Sequence, residues 1–288
     1  MVSEAPGGTP LYSYDLPRLD ISVAHPARIF DFWLGGKDNF AVDRRAAEAA
    51  VEAFPKAVPA MRANRAFLAR AVRYLAGEAG IRQFLDIGTG LPSEDNTHDV
   101  AQAIAPSSRV VYVDNDPVVL LHAHAMLTST AAGATGYIDA DLRDPGQILR
   151  DAGSVLDLSQ PVAVLLFGIL PFIQDDDSPY AVVDVLMSAM PEGSYLVVSH
   201  LAKDLFPKQM PAFARALNEY SSVEMLLRDK AEVSRFFHGL ELVEPGVVQV
   251  SQWRPRTVRE GNAPAASWGG VGRRPSWTRV PFARNPAS

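Results

Sequence analysis

An α/β fold is what this chain predicts: an open, mostly parallel sheet, closed by an antiparallel hairpin and preceded by a helical N-terminal segment. Three observations carry the expectation. Short β-branched runs at 84–87, 110–113, 137–140, 162–167 and 195–199 alternate with helical stretches, the pattern of right-handed crossovers. Residues 240–243 and 247–250 flank Pro245-Gly246 and read as strand, tight turn, strand. Residues 43–75 carry helical periodicity and no strand signal.

Residues 1–20 mix Gly, Pro and Ser without periodicity and read as a flexible arm. Residues 21–83 form a helical cap. Within it, 43–54 is rich in Ala, Glu and Arg and is stopped by Pro55 and Pro59. From Ala60 to Leu75 an apolar face of Met61, Leu68, Ala71, Val72 and Leu75 leaves Arg62, Arg65 and Arg73 elsewhere, and Gly77 and Gly80 end the helix. The sheet domain is expected over 84–253. Asp116-Pro117 and Ser178-Pro179 open helices inside it, with proline at the first helical position. A further helix falls at 211–220, and Asp229-x-x-Glu232 is a capping box. Residues 254–288 are expected to be a basic tail.

Composition removes several kinds of chemistry. The chain has 288 residues, 48% hydrophobic and 21% charged, which excludes wholesale disorder, collagen and coiled coil. With no cysteine there is no disulfide, thiol nucleophile or Cys-ligated metal. No His/Asp/Glu set has metal-ligand spacing either, and Asp175-Asp176-Asp177 reads as acid placed before a helix N-terminus. The net charge of −6 divides into +6 over 254–288, where seven arginines face Glu260, and −12 over the rest. An acidic body argues against nucleic acid as the main ligand. The tail reads as solvated or wrapped on the body, and its complementary charge would also permit a homodimer. The N-terminus has no signal-peptide pattern, and the most apolar run, 161–173, falls short of the roughly 20 residues of a spanning helix. A cytoplasmic protein that does not enter membranes is expected.

Parallel sheets take ligands at the carboxyl ends of their strands, which directs attention to Asp86-Ile87-Gly88-Thr89-Gly90-Leu91-Pro92. Glycines 88 and 90 allow close backbone approach, but Ser93 stands where a dinucleotide fingerprint needs a third glycine. Asp86 would repel a pyrophosphate. The loop suits a ligand with a positive amino group and a sulfonium.

Asp86-x-Gly88-x-Gly90 resembles motif I of the class I S-adenosylmethionine-dependent methyltransferases. Val110 to Asp114 resembles their second strand, and Ala140-Asp141-Leu142-Arg143 their third-strand site. The runs 164–173 and 191–198 resemble the fourth strand and the turn into the fifth. His25-Pro26-Ala27-Arg28-Ile29-Phe30-Asp31-Phe32-Trp33-Leu34-Gly35-Gly36-Lys37-Asp38-Asn39-Phe40 is similar to the signature of a bacterial group of such methyltransferases, long catalogued as a domain of unknown function. Asn96-Thr97-His98 and Trp268 to Arg273 resemble that group too, so the likeness spans about residues 20–274. It implies a Rossmann-like sheet and S-adenosylmethionine as cofactor. It further implies that Asp86, Gly88 and Gly90 form the cofactor loop, Asp114 with Asn115 holds the ribose, Asp141 and the Leu142 N–H read adenine, and Phe167 borders the site. Pro92 departs from the general motif, which often has a third glycine there.

Methyl transfer needs alignment more than a catalytic group. Candidate bases are His25, His98 and His200, because imidazole titrates near neutrality. Arg28, Trp33 and the Lys37-Asp38-Asn39 turn after Gly35-Gly36 are candidate cap and substrate residues. The expected activity is methylation of a small molecule at O, N or C. The fourth strand ends in Phe167-Gly168-Ile169-Leu170 and not in N-P-P-Y, which disfavours the methylation of adenine or of a glutamine amide associated with that motif. The rivals are a non-catalytic S-adenosylmethionine sensor or scaffold and, opposed by Asp86 and Ser93, an NAD oxidoreductase.

Overall fold

The structure, a computed structural model, describes residues 20–92, 95–125 and 132–276, except for the side chains of 123–125. Residues 1–19, Ser93 and 277–288, and with them most of the expected arm and the end of the tail, lie outside the described residues. In chain order come α1 (Pro26–Leu34), α2 (Ala41–Ala53), α3 (Ala57–Gly77), β1 (Gln83–Ile87), α4 (Thr97–Ile104), β2 (Arg109–Asp114), α5 (Pro117–Ala125), β3 (Ala134–Asp139), α6 (Pro145–Ala152), β4 (Ala163–Phe167), α7 (Pro179–Ala189), β5 (Tyr195–Leu201), α8 (Met210–Asn218), α9 (Lys230–Ser234), β6 (Glu241–Leu242), β7 (Val248–Gln249), α10 (Val258–Gly261) and β8 (Ser267–Arg273). None of the described helices is long and apolar enough to cross a membrane.

The strands form one sheet in the order β3-β2-β1-β4-β5-β8-β6, with β7 also on β8. β1 to β5 pair parallel, Phe84 opposite Val110 and Ala163, and Ala163 opposite Tyr195. Side chains alternate between two cores, as the period of two requires. Leu85, Ile87, Val111, Val113, Val164 and Leu166 pack under α6 and α7. Phe84, Val110, Tyr112, Leu165 and Val197 pack under α3 and α4.

Three expectations need correction. The first concerns the 240–250 hairpin: β6 and β7 do not pair with each other, and each pairs antiparallel with β8. Second, β8 lies inside the stretch expected to be tail, and it pairs antiparallel with all of β5, from Tyr195 opposite Arg273 to Leu201 opposite Ser267. Its glycines hide it from a propensity reading, yet they are what lets it fit. A Cβ on Gly269 would stand 2.7 Å from Val250 Cγ1 and 2.8 Å from Phe67 Cε1, and one on Gly272 would stand 2.8 Å from Phe237 Cδ1. Third, Pro59 does not block a helix but sits in the first turn of α3, where the missing N–H costs nothing. α3 packs Phe67, Leu68, Val72 and Leu75 on the sheet, so only its first turns join α1 and α2 over the strand ends. α1 and α2 pack with α8, Phe172 and Leu201 at the carboxyl ends of the strands.

Candidate active site

The carboxyl ends of β1 to β5 open into a cavity of about 790 Å³, roofed by α1 and the N-terminal half of α3. That volume is in the upper part of the range of about 300–1,000 Å³ that holds small ligands. Its two halves differ in chemistry.

At the β1 end, Gly88 (φ +73°) gives its N–H to the Val113 carbonyl at 2.8 Å, and a Cβ there would land 2.6 Å from Ile169 Cβ. Gly90 (φ +66°) donates to Asp114 Oδ2 at 2.8 Å. Both turns thus need glycine, one for close packing and both for backbone angle. Asp86 is 3% exposed. The Thr97 hydroxyl donates to its Oδ2 at 2.7 Å. Burial pushes this carboxyl up to about 6, against the pull of Thr97 and of the nearby Arg65 charge. Arg65, on α3, lines the same corner and donates to the Asp95 carbonyl at 3.3 Å and to Asn96 Oδ1 at 3.4 Å. Burial lowers its pKa and Asp86 raises it. An acid and a guanidinium side by side suit a zwitterion.

At the β2 end, Asp114 accepts from Gly90 N through Oδ2 and from Asp116 N through Oδ1, at 2.8 and 3.0 Å. A carboxylate has about four lone-pair sites, so two remain for a diol. Burial raises this carboxyl, and the two backbone donors oppose that. At the β3 end, Asp141 accepts from Asn115 Nδ2, from Arg143 N and from the Arg143 guanidinium at 2.8–3.0 Å. Leu142 lines the cavity, and no hydrogen bond joins its N–H to the described residues. Arg143 also reaches Asp177 at 2.9 Å, which raises its pKa, while Asp175 pairs with Arg228, so this acidic turn is consumed in ion pairs.

The three candidate histidines part company. His25 caps α1 and borders the cavity beside the β2 end. Its Nδ1 is 2.7 Å from Asp116 Oδ2 and 3.4 Å from the Ala27 N–H, and the shorter contact makes it a donor to Asp116. Burial alone would raise Asp116, but the His25 hydrogen bond and the His25 and Arg28 charges outweigh it and hold the carboxyl below its usual range. His98 does not line the cavity. Its backbone N–H donates to the Tyr112 hydroxyl at 2.8 Å, ring Nδ1 is 2.7 Å from the same oxygen and Nε2 is 3.2 Å from Asp99. His200 is fully buried outside the cavity; Nδ1–H donates to the Leu201 carbonyl at 2.8 Å and Nε2 accepts from Arg228 at 2.9 Å. Burial drives its pKa down to about 3. His98 lies outside the cavity and both nitrogens of His200 are spent, so neither is placed to act as a base there, contrary to expectation.

The cap residues need correction as well. Arg28 is buried behind α1, 3.4 Å from Asp116 and 3.8 Å from Asp43, and donates to the Asp20 and Val23 carbonyls. It fastens the cap and does not reach the cavity. In the 35–39 turn, Asp31 Oδ2 accepts from Asp38 N at 3.0 Å and Asn39 Nδ2 at 2.8 Å, and Asp38 faces His122 Nε2 at 3.1 Å. Lys37 is exposed. The turn therefore closes α1 onto α5, and Lys37, Asp38 and Asn39 stay outside the cavity. Trp33 does line it, with its Nε1–H bound to the Ala47 carbonyl at 3.2 Å.

Below β4 and β5 the walls are rings. Phe30 stacks on Trp33 at 5.6 Å, Trp33 on Phe213 at 6.0 Å, and Phe30 meets Phe172 at 6.4 Å. Phe167, at the end of β4, is held edge-on by Phe67 at 5.5 Å. The sequence reading missed Arg65, Asn64 and Met61 as lining residues. Met61 belongs to the apolar stripe of α3 and Asn64 and Arg65 stand beside it, all three in its first turns.

The profile of a family described as S-adenosyl methyltransferase matches residues 13–275. The crystal structure of a DUF574 family protein from Streptomyces avermitilis MA-4680 is 44% identical with a TM-score of 0.87, covering 90% of this chain and all of that one. A crystal structure of a protein proposed to be a methyltransferase, from Thermobifida fusca YX, is 41% identical with a TM-score of 0.83, covering 92% of this chain and all of the other. No curated protein matches the chain.

Proposed function

The chain belongs to the S-adenosyl methyltransferase family, with its Rossmann-like class I sheet, and from that premise we propose that it methylates a small-molecule acceptor at O, N or C. The observation that carries this reading is the continuity of the cavity. One half has paired charges and unspent acceptors at the ends of β1 to β3, and the other is ring-lined beneath α1.

The donor set fits S-adenosylmethionine. Asp86 would face its ammonium group and Arg65 its carboxylate, Asp114 the ribose hydroxyls, and Asp141 with the Leu142 N–H the adenine edge. Bound there, the cofactor supplies an electrophilic methyl group on a sulfonium. The protein's share is orientation and exclusion of water: Gly88 and Gly90 fix the loop path, and His25 with Arg28 clamps α1 onto the β2 end through Asp116. Aligning the two reactants is worth about 7–11 kcal/mol of barrier at best, which is why no catalytic side chain is required.

Calorimetric titration with S-adenosylmethionine, S-adenosylhomocysteine and NAD tests the reading. The first two are expected to bind and NAD is not; NAD binding alone overturns it. Asp114→Ala is expected to weaken S-adenosylhomocysteine binding at least tenfold, since a charge-assisted hydrogen bond is worth about 1.5–3 kcal/mol. Unchanged affinity would remove Asp114 from the ribose role.

A further inference from the structure

We propose that the methyl acceptor is an organic amine, a molecule with a flat apolar body and an ammonium group whose N–H is accepted by the side-chain oxygen of Asn64. The inference rests on the methyltransferase reading and adds the class of acceptor. An orphaned oxygen on the cavity wall and an unpaired carboxylate in its roof carry it.

Asn64 lines the cavity from the N-terminal half of α3, one position before Arg65. Its Nδ2 lies at the end of β4, where a Cβ on Gly168 would be 3.9 Å away. One and two turns earlier on the same face, Ala60 and Ala57 share an apolar cluster with Phe172 and Phe213. Asn64 therefore stands where the charged half of the cavity meets the ring-lined half. Its Oδ1 is buried without a hydrogen-bond partner among the described residues. Buried polar atoms are nearly always paired, so an orphan on a cavity wall calls for a partner from the ligand. An amide oxygen can only accept, and the ligand must therefore bring an N–H or an O–H to this point.

Charge decides between the two. The roof carries Asp31, 7% exposed, whose Oδ2 accepts from Asp38 N and Asn39 Nδ2 while Oδ1 makes no hydrogen bond to the described residues. No cation among the described residues pairs with it. On the same roof His25 spends Nδ1 on Asp116 and leaves Nε2 as a further acceptor. Of the arginines that line the cavity, Arg65 belongs to the Asp86 corner, Arg143 is spent on Asp141 and Asp177, and Arg62 is exposed at the rim. Solvent and salt screen an exposed charge far more than a buried one, so Asp31 sets the sign that a ligand under α1 feels. The ring faces of Phe30, Trp33, Phe172 and Phe213 agree with that sign, since they pack against a flat body and attract a cation. A carboxylate or phenolate would meet acceptors and a buried negative charge; an ammonium group meets partners for both its charge and its N–H.

The test uses the full chain saturated with S-adenosylhomocysteine and measures binding of 2-phenylethylamine, its N,N,N-trimethyl derivative and 3-phenylpropionate. The trimethyl derivative keeps the charge and has no N–H, and the propionate reverses the charge on a chain of similar length. The amine is expected to bind about tenfold or more tightly than either, the size of effect of one charge-assisted hydrogen bond. Asn64→Leu should bring the amine down to the level of the trimethyl derivative, whereas Asn64→Asp keeps an accepting oxygen and should hold the amine at least as tightly as the wild type does. Asp31→Asn should narrow the gap between the amine and the propionate and leave the gap between the amine and the trimethyl derivative in place. No binding of the amine, propionate binding as tightly, a trimethyl derivative that binds as tightly, or a preference for N–H that survives Asn64→Leu overturns the acceptor class. Failure of the methyltransferase reading shows separately, as no binding of S-adenosylhomocysteine to the wild type in the first place.

Discussion

Asp86→Asn is expected to raise the stability of the ligand-free protein and to lower its affinity for S-adenosylmethionine by tenfold or more. Both effects come from one buried charge. Burial moves the Asp86 carboxyl from 3.8 to about 6. At about 1.4 kcal/mol for each pH unit, holding it ionised at neutral pH costs the fold about 3 kcal/mol. Asparagine keeps the hydrogen bond from Thr97 and has no charge to desolvate, so a gain of about 1–2 kcal/mol and a few degrees in Tm should remain after the amide's own burial cost. The lost affinity reflects a charge no longer available to an ammonium group. The pH dependence supplies a second check. Between about 6 and 3.8 the native state of the wild type takes up a proton at Asp86, so this group stabilises the fold as pH falls. His200, held at about 3, works in the opposite sense: from about 6.5 downward the unfolded chain binds a proton that the native state refuses, and stability is lost. The two oppose each other in the wild type over about pH 4–6. In Asp86→Asn the loss due to His200 is unmasked, and thermal melts should show a steeper decline toward acid than the wild type does. An unchanged Tm at pH 7.5 with unchanged affinity would mean that the carboxylate is neither strained nor functional.

Gly36→Ala should be among the most damaging single-methyl changes in the chain. The new Cβ would lie 1.8 Å from Asp31 Oδ1 and 2.4 Å from Asp31 Cγ. Asp31 must leave, and with it go the hydrogen bonds to Asp38 N and Asn39 Nδ2 that shape the turn between α1 and α2. Abandoning a buried, hydrogen-bonded carboxylate costs about 2–4 kcal/mol, and α1 loses its anchor above the cavity. Gly35 is the internal control. It ends α1 at φ +88° with nothing within 4 Å of an added Cβ, so Gly35→Ala carries only backbone strain of about 1 kcal/mol and Gly35→Asn less. Urea titration should rank Gly36→Ala far below Gly35→Ala; equal costs would show that the Asp31 turn is not what holds the cap.

The acids at 86, 114 and 141 were legible because an acid at a strand's carboxyl end is a local signal: strand period and following turn are written within about ten residues. The histidines were not legible in the same way. His200 follows the fifth strand like a site residue, yet its fate is decided by Arg228 and Leu201, which the sequence does not place beside it. Arg65 shows the converse error. On a helical wheel it falls off the apolar stripe and reads as solvated, but α3 lies across the strand ends and turns that margin toward Asp86. The Lys37-Asp38-Asn39 turn reads from sequence as a set of cap and substrate residues. Its rigidity comes from Asp31, six to eight positions earlier and one helix away in local structure, a link that no turn propensity encodes.

β8 has a consequence for the order in which the molecule can be made. β5 is complete once residue 201 has emerged from the ribosome, but the strand that seals its open edge ends at Arg273. During the intervening synthesis β5 presents an unpaired edge, and β6 and β7 have nothing to pair with, because both join the sheet only through β8. The nascent protein therefore holds an incomplete sheet until nearly the last of its described residues has been added. A chain cut short before residue 267 should not settle into a smaller stable enzyme; it should be captured by chaperones or aggregate through β5.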